Sequence, residues 1–313
     1  MDQEITEQLE RRLGRTHAKQ RLGIEREHEV RIFGGGGLNF FHIENWYSAP
    51  WLIRGALRVT GLHRRARRNA ENIQVRKNVV CSPRIPKKFS GFTILHISDL
   101  HADMNEGAMR NLAKILPELD YDICTLTGDY RGKTHGPFDL TLNSLAQVRS
   151  HITKPIYGVL GNHDTIRMVP GLEAMGIRML LNECEGIERQ GEHIHLAGID
   201  DAHHYRVDNI QKAACEISDH AFSILLSHTP EIYRQAAHAG FDLLLSGHTH
   251  GGQICLPGSI PITLDSNLPR RMGSGAWQYH NMLGYTSAGV GSCIIVARLN
   301  CAPEITLHRL ESV

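Results

Sequence analysis

The chain has 313 residues, with 34 Lys plus Arg against 33 Asp plus Glu and a formal charge of +1. Hydrophobic residues at 41% and charged residues at 21% suit a globular core and exclude a wholly disordered chain, and the glycines and prolines follow no collagen-like period. No run approaches the ~18 apolar residues of a membrane-spanning helix. The start, Met1-Asp2-Gln3-Glu4, lacks the basic-then-apolar pattern of a secretory signal. Seven cysteines, an odd number with no Cys-x-x-Cys pair, read as reduced thiols, so a cytoplasmic location is expected.

The balanced charge conceals an asymmetry. Residues 1–90 hold 18 basic and 9 acidic side chains, residues 91–313 hold 16 and 24, and 16 of the 20 histidines fall in the second part. A boundary near Gly91, preceded by Pro83 and Pro86, therefore divides a basic, largely helical N-terminal arm (1–90) from a catalytic-sized domain (91–313). In chain order, residues 2–30 read as helical and Gly34–Gly37 as a flexible break. Trp46 to Arg68 reads as one helix, with Ser48 as a cap and Pro50 in its first turn. Arg54, Arg58, Arg65 and Arg68 fall on one side of it, and Leu52, Ala56 and Val59 opposite.

From Phe92 onward short apolar runs alternate with amphipathic stretches. Strands are expected at 93–97, 123–127, 156–160, 193–197, 223–226, 243–245 and 293–297, and helices at 107–116, 140–148, 209–216 and 231–239. This alternation implies an α/β fold with helices covering the sheets. Five of the strands run directly into metal-capable side chains: Asp99 and His101; Asp129; Asn162, His163 and Asp164; His228; His248 and His250. Open α/β sheets place their ligands at strand carboxyl ends. Oxygen and imidazole donors without thiolate favour ions such as Mn, Fe, Zn or Ni, and the surplus of donors favours two ions over one. Two metals about 3.5–4 Å apart are the usual device for in-line displacement at phosphorus.

These blocks, Asp99-Leu100-His101, Gly128-Asp129, Gly161-Asn162-His163-Asp164, Ser227-His228 and Gly247-His248-Thr249-His250, resemble the signature of the calcineurin-like metallophosphoesterases. The resemblance covers about residues 92–310. It implies a four-layer α/β/β/α sandwich of two mixed sheets. It also implies one metal on Asp99, His101 and His250, a second on Asn162, His228 and His248, and Asp129 bridging them. His163 would be the proton donor or phosphate-orienting group, with Asp164 holding its imidazole. The implied reaction is in-line attack of a metal-bridging hydroxide on a phosphodiester or pyrophosphate bond. The stretches 198–201, 227–230, 247–258 and 302–310 look like a bacterial branch of membrane-associated phosphodiesterases and UDP-2,3-diacylglucosamine hydrolases, so a lipid-linked or nucleotide-lipid substrate is expected. A general small-molecule phosphodiesterase or phosphatase and a catalytically silent metal-binding scaffold are the alternatives.

Gly252 and Gln253, close behind the last ligand, and Asp201 are candidate substrate contacts. His203 and His204 could border the substrate and Arg270 and Arg271 could meet a second phosphate, although a solvated loop and a solvated pair are the plainer readings. His193 and His195 share one strand face and read as structural. Residues 45–88 carry eleven basic side chains and one acidic one, with Trp46, Tyr47 and Trp51 at the start. That composition suits peripheral contact with an anionic membrane surface through Trp46–Arg68. Docking onto the acidic domain is the competing expectation, and nucleic acid the weakest.

Overall fold

The computed structural model describes residues 2–33 and 49–313. Trp46, Tyr47, Ser48 and Gly34–Gly37 lie outside the described residues. The chain begins with α1 (Asp2–Leu13) and α2 (Arg15–Phe33), separated at Gly14, whose φ of +88° interrupts the helix where a glycine can do so at little cost. The expected helix from Trp46 to Arg68 is two where it is described, α3 (Ala49–Val59) and α4 (His63–Asn69). Thr60 turns its hydroxyl back onto the Ala56 carbonyl (2.8 Å) and Gly61 takes φ +70°, a left-handed stop that ends α3.

β1 (Gln74–Ser82) follows, then β2 (Thr93–Ile97), α5 (Glu106–Ile115), β3 (Ile123–Leu126), α6 (Asp139–Arg149), β4 (Ile156–Gly158), α7 (Val169–Ala174) and β5 (Ile177–Met179). The second half runs β6 (Glu183–Arg189), β7 (Glu192–Gly198), α8 (Ile210–Ala214), β8 (Ser223–Leu226), α9 (Tyr233–His238) and β9 (Leu243–Ser246). A two-residue-strand ribbon, β10 (Cys255–Leu256) with β11 (Ile260–Pro261), precedes β12 (Gly275–Tyr279), β13 (Met282–Thr286) and β14 (Glu304–Ser312). Among the described residues two six-stranded sheets form, in the orders β1-β14-β2-β3-β4-β5 and β12-β13-β9-β8-β7-β6. Each is mixed: β14 is antiparallel to β2 and β12 to β13, while β2-β3-β4-β5 and β13-β9-β8-β7 run parallel.

Three apolar layers bind these parts. Ile94, Ile123, Val159, Leu196, Ile224, Leu245 and Leu310 pack between the sheets. Leu9, Leu112, Leu145 and Leu172 bring α1, α5, α6 and α7 onto the outer face of the first sheet. Ala213, Tyr233 and Ala236 bring α8 and α9 onto the second. The result is the expected α/β/β/α sandwich. The strands β5, β6, β12, β13 and β14 lie outside those expected from the sequence, and two further details differ from that reading. Residues 293–297 form a loop, with Ile295 and Ala297 buried under Leu57 of α3 and Ala66 of α4; burial, not pleating, accounts for their apolar run. Gln74–Ser82, on the basic side of the compositional break, pairs in parallel with Glu304–Ser312 over nine residues. Its exposed edge position, with Val75 and Val79 open to solvent, explains its mixed polar sequence.

Candidate metal centre

β2, β3 and β4 of the first sheet and β8 and β9 of the second end on the same rim. Each hands over one of the predicted residue groups there: Asp99 and His101, Asp129, Asn162 to Asp164, His228, and His248 with His250. All nine are buried. The turn into the site is tight enough that Asp99, His101, Asp129, His248 and His250 all take positive φ, between +39° and +71°. Non-glycine residues held there cost on the order of 1–3 kcal/mol each, a strain that clusters at functional sites. Close approach, not only turning, explains the glycines before the ligands. A Cβ on Gly161 would overlap Asp129, and one on Gly247 would overlap Ser98 and Asp99.

Three groups of donors form among the described residues, one of them His203, His248 and Asp265 and the other two sharing Asp99. Asp99, His101 and His250 bring ligand atoms within 4.8 Å of one another, and so do Asp99, Asp129 and His228. Asp129 is central: its Oδ2 lies 3.3 Å from His228 Nε2, 3.8 Å from His101 Nε2 and 3.9 Å from His163 Nε2. Asn162 adds its Oδ1 at 2.9 Å from His228 Nε2. The ring orientations are fixed from behind. His101 Nδ1 donates to the Arg131 carbonyl (2.8 Å) and His228 Nδ1 to the Thr127 carbonyl (2.7 Å), which turns each Nε2 toward the carboxylates. His248 carries a buried Nε2 that no described residue hydrogen-bonds. Oxygen and imidazole donors in two overlapping groups, backed by carbonyls, fit a pair of divalent ions.

The electrostatics agree. Burial pushes the Asp99 carboxyl up, reinforced by Asp129. Burial also works against charge on Asp129, but His228, His163 and His101 together hold its carboxyl well below the usual range. For His228 burial favours the neutral ring, yet Asp129 and Asp99 push it up to about 10. Burial keeps His248 and His250 well below the ordinary imidazole range, with neighbouring cationic groups adding to the effect. Two carboxylates facing each other in a buried rim hold a proton on a histidine unless cations take its place.

Other residues give the rim its shape. Asp164 receives the backbone N–H groups of Gly161 and Asp129 (both 2.8 Å), Tyr130 (2.9 Å) and Arg131 (3.3 Å). Its carboxylate thus locks the Asp129 loop to the His163 loop; the expected grip on the His163 imidazole gives way to this backbone role. His163 donates its own N–H to Asp129 Oδ1 (2.9 Å), with its ring Nδ1 3.3 Å from Thr134 Oγ1 and Nε2 3.8 Å from Cys293 Sγ. Arg131 binds the carbonyls of His163, Thr134 and Gly136. Arg298, fully buried, donates to His250 Nδ1 (3.1 Å), the His250 carbonyl (2.9 Å) and the Ala288 carbonyl (2.7 Å). Sequence reasoning missed both arginines; one cation inside the apolar run Ile294–Leu299 was the available signal.

The candidate substrate contacts fare differently. Gln253 spends its amide on Cys293, accepting from its N–H (2.7 Å) and donating to its carbonyl (2.8 Å), so it pins a loop. A Cβ on Gly252 would strike Pro261, which makes that glycine a packing requirement. Asp201 caps the turn at His204 and Tyr205 by accepting their N–H groups (2.7 and 2.6 Å). His203 Nδ1 lies 2.8 Å from Glu231, and its ring stands 4.3 Å from that of His248. His195 Nδ1 lies 3.7 Å from Cys184 Sγ, away from the rim, and Arg270 donates to the Pro261 carbonyl (3.1 Å).

The first two helices press against the back of this centre. Arg21, fully buried, donates to the Asp164 carbonyl (2.9 Å), pairs with Glu25 (3.0 Å) and covers the Tyr205 ring at 3.4 Å. Glu25 in turn accepts from Thr165 Oγ1 and the Ile166 N–H. His17 Nε2 meets Asp200 (2.8 Å), and Arg12 bridges Glu173 (2.9 Å) and Glu183 (2.6 Å).

Residues 92–252 match the calcineurin-like phosphoesterase family. The uncharacterized metallophosphoesterase YkoQ of Bacillus subtilis is 32% identical over 230 residues, 69% of this chain and 83% of that protein. Phosphodiesterase YaeI of Escherichia coli is 27% identical over 70% of this chain and 82% of its own. A zebrafish (Danio rerio) transmembrane protein with metallophosphoesterase domain is 29% identical over 71% of this chain and 54% of that protein. Among the described residues of this chain no helix is long and apolar enough to cross a membrane. The match, the two sheets and the buried Asp–His rim lead to one conclusion: the chain belongs to the calcineurin-like phosphoesterases and is a metal-dependent phosphoester hydrolase, of a family that typically uses two divalent ions.

Proposed function

We propose that this hydrolase cleaves a phosphodiester or pyrophosphate bond in a lipid-linked or nucleotide-lipid substrate. Asp99, His101 and His250 would hold one ion and Asn162, His228 and His248 the other, with Asp129 shared. The observation that supports this assignment is that Asp129 Oδ2 lies 3.8 Å from His101 Nε2 and 3.3 Å from His228 Nε2, histidines that would serve different ions. When bound, two such ions polarise phosphoryl oxygens and lower the pKa of water toward neutrality. The rest falls to the chain. Asp164 keeps the Asp129 and His163 loops in register through four backbone N–H groups, and Thr134 and Cys293 flank the His163 ring. His163 Nε2, directed into the rim, is placed to give a proton to the leaving oxygen.

Support for the lipid part comes from α3, where Trp51, Leu52 and Val59 stand exposed beside Arg54 and Arg58. This is the composition of an interfacial helix. The decisive experiment is an activity screen of metal-reconstituted protein on UDP-acyl-sugars beside simple diesters. Release of UMP supports the proposal; turnover confined to soluble diesters rejects the lipid substrate. Hydrolysis in heavy-oxygen water should place the label directly on the phosphate product, whereas a phosphorylated side chain would refute direct attack by water.

A further inference from the structure

The elbow at Gly61 folds α4 back toward α3 and encloses a cavity of about 300 Å³. Arg54 and Arg58 of α3, His63 and Arg67 of α4 and the loop residues Ile295, Val296 and Ala297 line it. Among the described residues no carboxylate does. Arginine stays protonated at any physiological pH, so three permanent positive charges face one small volume. None of the three has an ion-pair or hydrogen-bond partner among the described residues. Arg12 and Arg84, by contrast, are matched, the first by Glu173 and Glu183 and the second by Asp242 (2.8 Å). Like charges gathered without a counter-charge are stabilised by an anion, and guanidinium groups suit a phosphate above all.

The same helix indicates which phosphate. At 100° per residue Ile53 and Leu57 of α3 face the body, where Leu57 packs under Ile295 and Ala297. Arg54 and Arg58 form one flank. The remaining arc carries Trp51, Leu52 and Val59, exposed by 74%, 55% and 91%. A water-soluble anion has no use for that apolar arc, but a phospholipid offers both a headgroup phosphate and acyl chains to cover it. We propose that the α3–α4 cavity is a binding site for the headgroup phosphate of an acidic phospholipid, with Trp51, Leu52 and Val59 entering the acyl layer. Its third wall is the loop whose next members reach the metal centre, Cys293 beside His163 and Arg298 on His250. The site therefore sets the catalytic rim close to the membrane surface. The inference deepens the membrane reading above but does not depend on the substrate, because it is read from binding without turnover.

The test is co-sedimentation of the full chain with vesicles of phosphatidylcholine alone and of phosphatidylcholine with an equal part of phosphatidylglycerol. Tight binding is expected only in the second case. Each of Arg54→Gln, Arg58→Gln and Arg67→Gln should weaken it about fivefold, the effect of one basic side chain at such a surface. Arg64→Gln and Arg65→Gln on α4, outside the cavity, should weaken it less. Trp51→Ser should remove the part of the binding that survives high salt. Unchanged metal content in every variant reports an intact fold. Equal binding to both vesicles overturns the inference. So does an equal loss from the lining and non-lining arginines, which would indicate diffuse attraction. Saturation of the cavity by inorganic phosphate without any vesicle binding would assign it to a soluble anion and likewise overturn it.

Discussion

The metal rim and the N-terminal helices use the same side chains to opposite ends. Along α1 and α2 the charges that anchor the helices meet their complements: Arg12 with Glu173 and Glu183, His17 with Asp200, Arg21 with Glu25. At the rim like faces like. Asp99 and Asp129 approach the same histidine, and His101 Nε2 lies 3.1 Å from His250 Nε2. A compensated cluster is complete as folded and holds two parts together. An uncompensated one is complete only with something else present, here cations. The cavity between α3 and α4 belongs to the second kind with the sign reversed.

The largest expected effect breaks the rim at its centre. Asp129→Ala removes the carboxylate between the two groups, and the cations it would screen repel each other. Metal content by elemental analysis should fall to near zero and activity with it. Retention of both ions would show that Asp99 alone carries the bridge. His163→Ala, in contrast, should keep full metal content while turnover falls by about 10²–10⁴-fold, the usual contribution of proton transfer. Normal turnover in that variant would exclude His163 from catalysis.

The compensated region should fail by unfolding, not by losing metal. Arg21→Ala leaves Glu25 buried without its cation, and breaking one partner of a buried pair costs about 3–5 kcal/mol. Urea titration should show that loss. Replacing both partners, as Arg21→Met with Glu25→Gln, should cost less than the single change. If the single and double variants are equally unstable, the pairing of Arg21 with Glu25 is not what secures α2.

How much of this was legible in the chain follows the same division. The rim was readable because donors must stand at fixed distances from strand ends, so Asp99 to His101 and His248 to His250 keep their spacing as sequence blocks. Arg298, Arg131 and the Asp164 backbone lock were not readable, because their partners are carbonyl and N–H groups that every residue carries. β1 was hidden for a related reason. An edge strand buries only part of its side chains, so Gln74–Ser82 shows neither an apolar run nor a clean alternation. The helix expected across Thr60 and Gly61 overlooked a left-handed stop of the common kind.

The smallest effect contrasts two histidines that burial treats alike and neighbours treat differently. His228 is pushed up to about 10 by the rim carboxylates despite its burial. His96, inside the sandwich on β2, has no such neighbour; burial pushes it down to about 3. There it meets Thr127 Oγ1 (2.8 Å) and His308 (3.3 Å), itself held well below the ordinary imidazole range by burial. Between pH 6.5 and about 3 the unfolded chain protonates residue 96 and the folded chain does not. Stability is therefore full above pH 6.5 and is lost as pH falls, by about 1.4 kcal/mol per pH unit for this group. His308 adds a loss of the same sign. In His96→Leu, where Thr127 still donates to Ser98 (2.7 Å), the acid slope of urea-derived stability should flatten by about that amount relative to the parent. Since the rim carboxylates titrate in both proteins, the difference reports residue 96 together with its contact to His308. Parallel slopes in the two proteins would mean that His96 takes up its proton without unfolding, and that burial inside the sandwich does not keep it neutral.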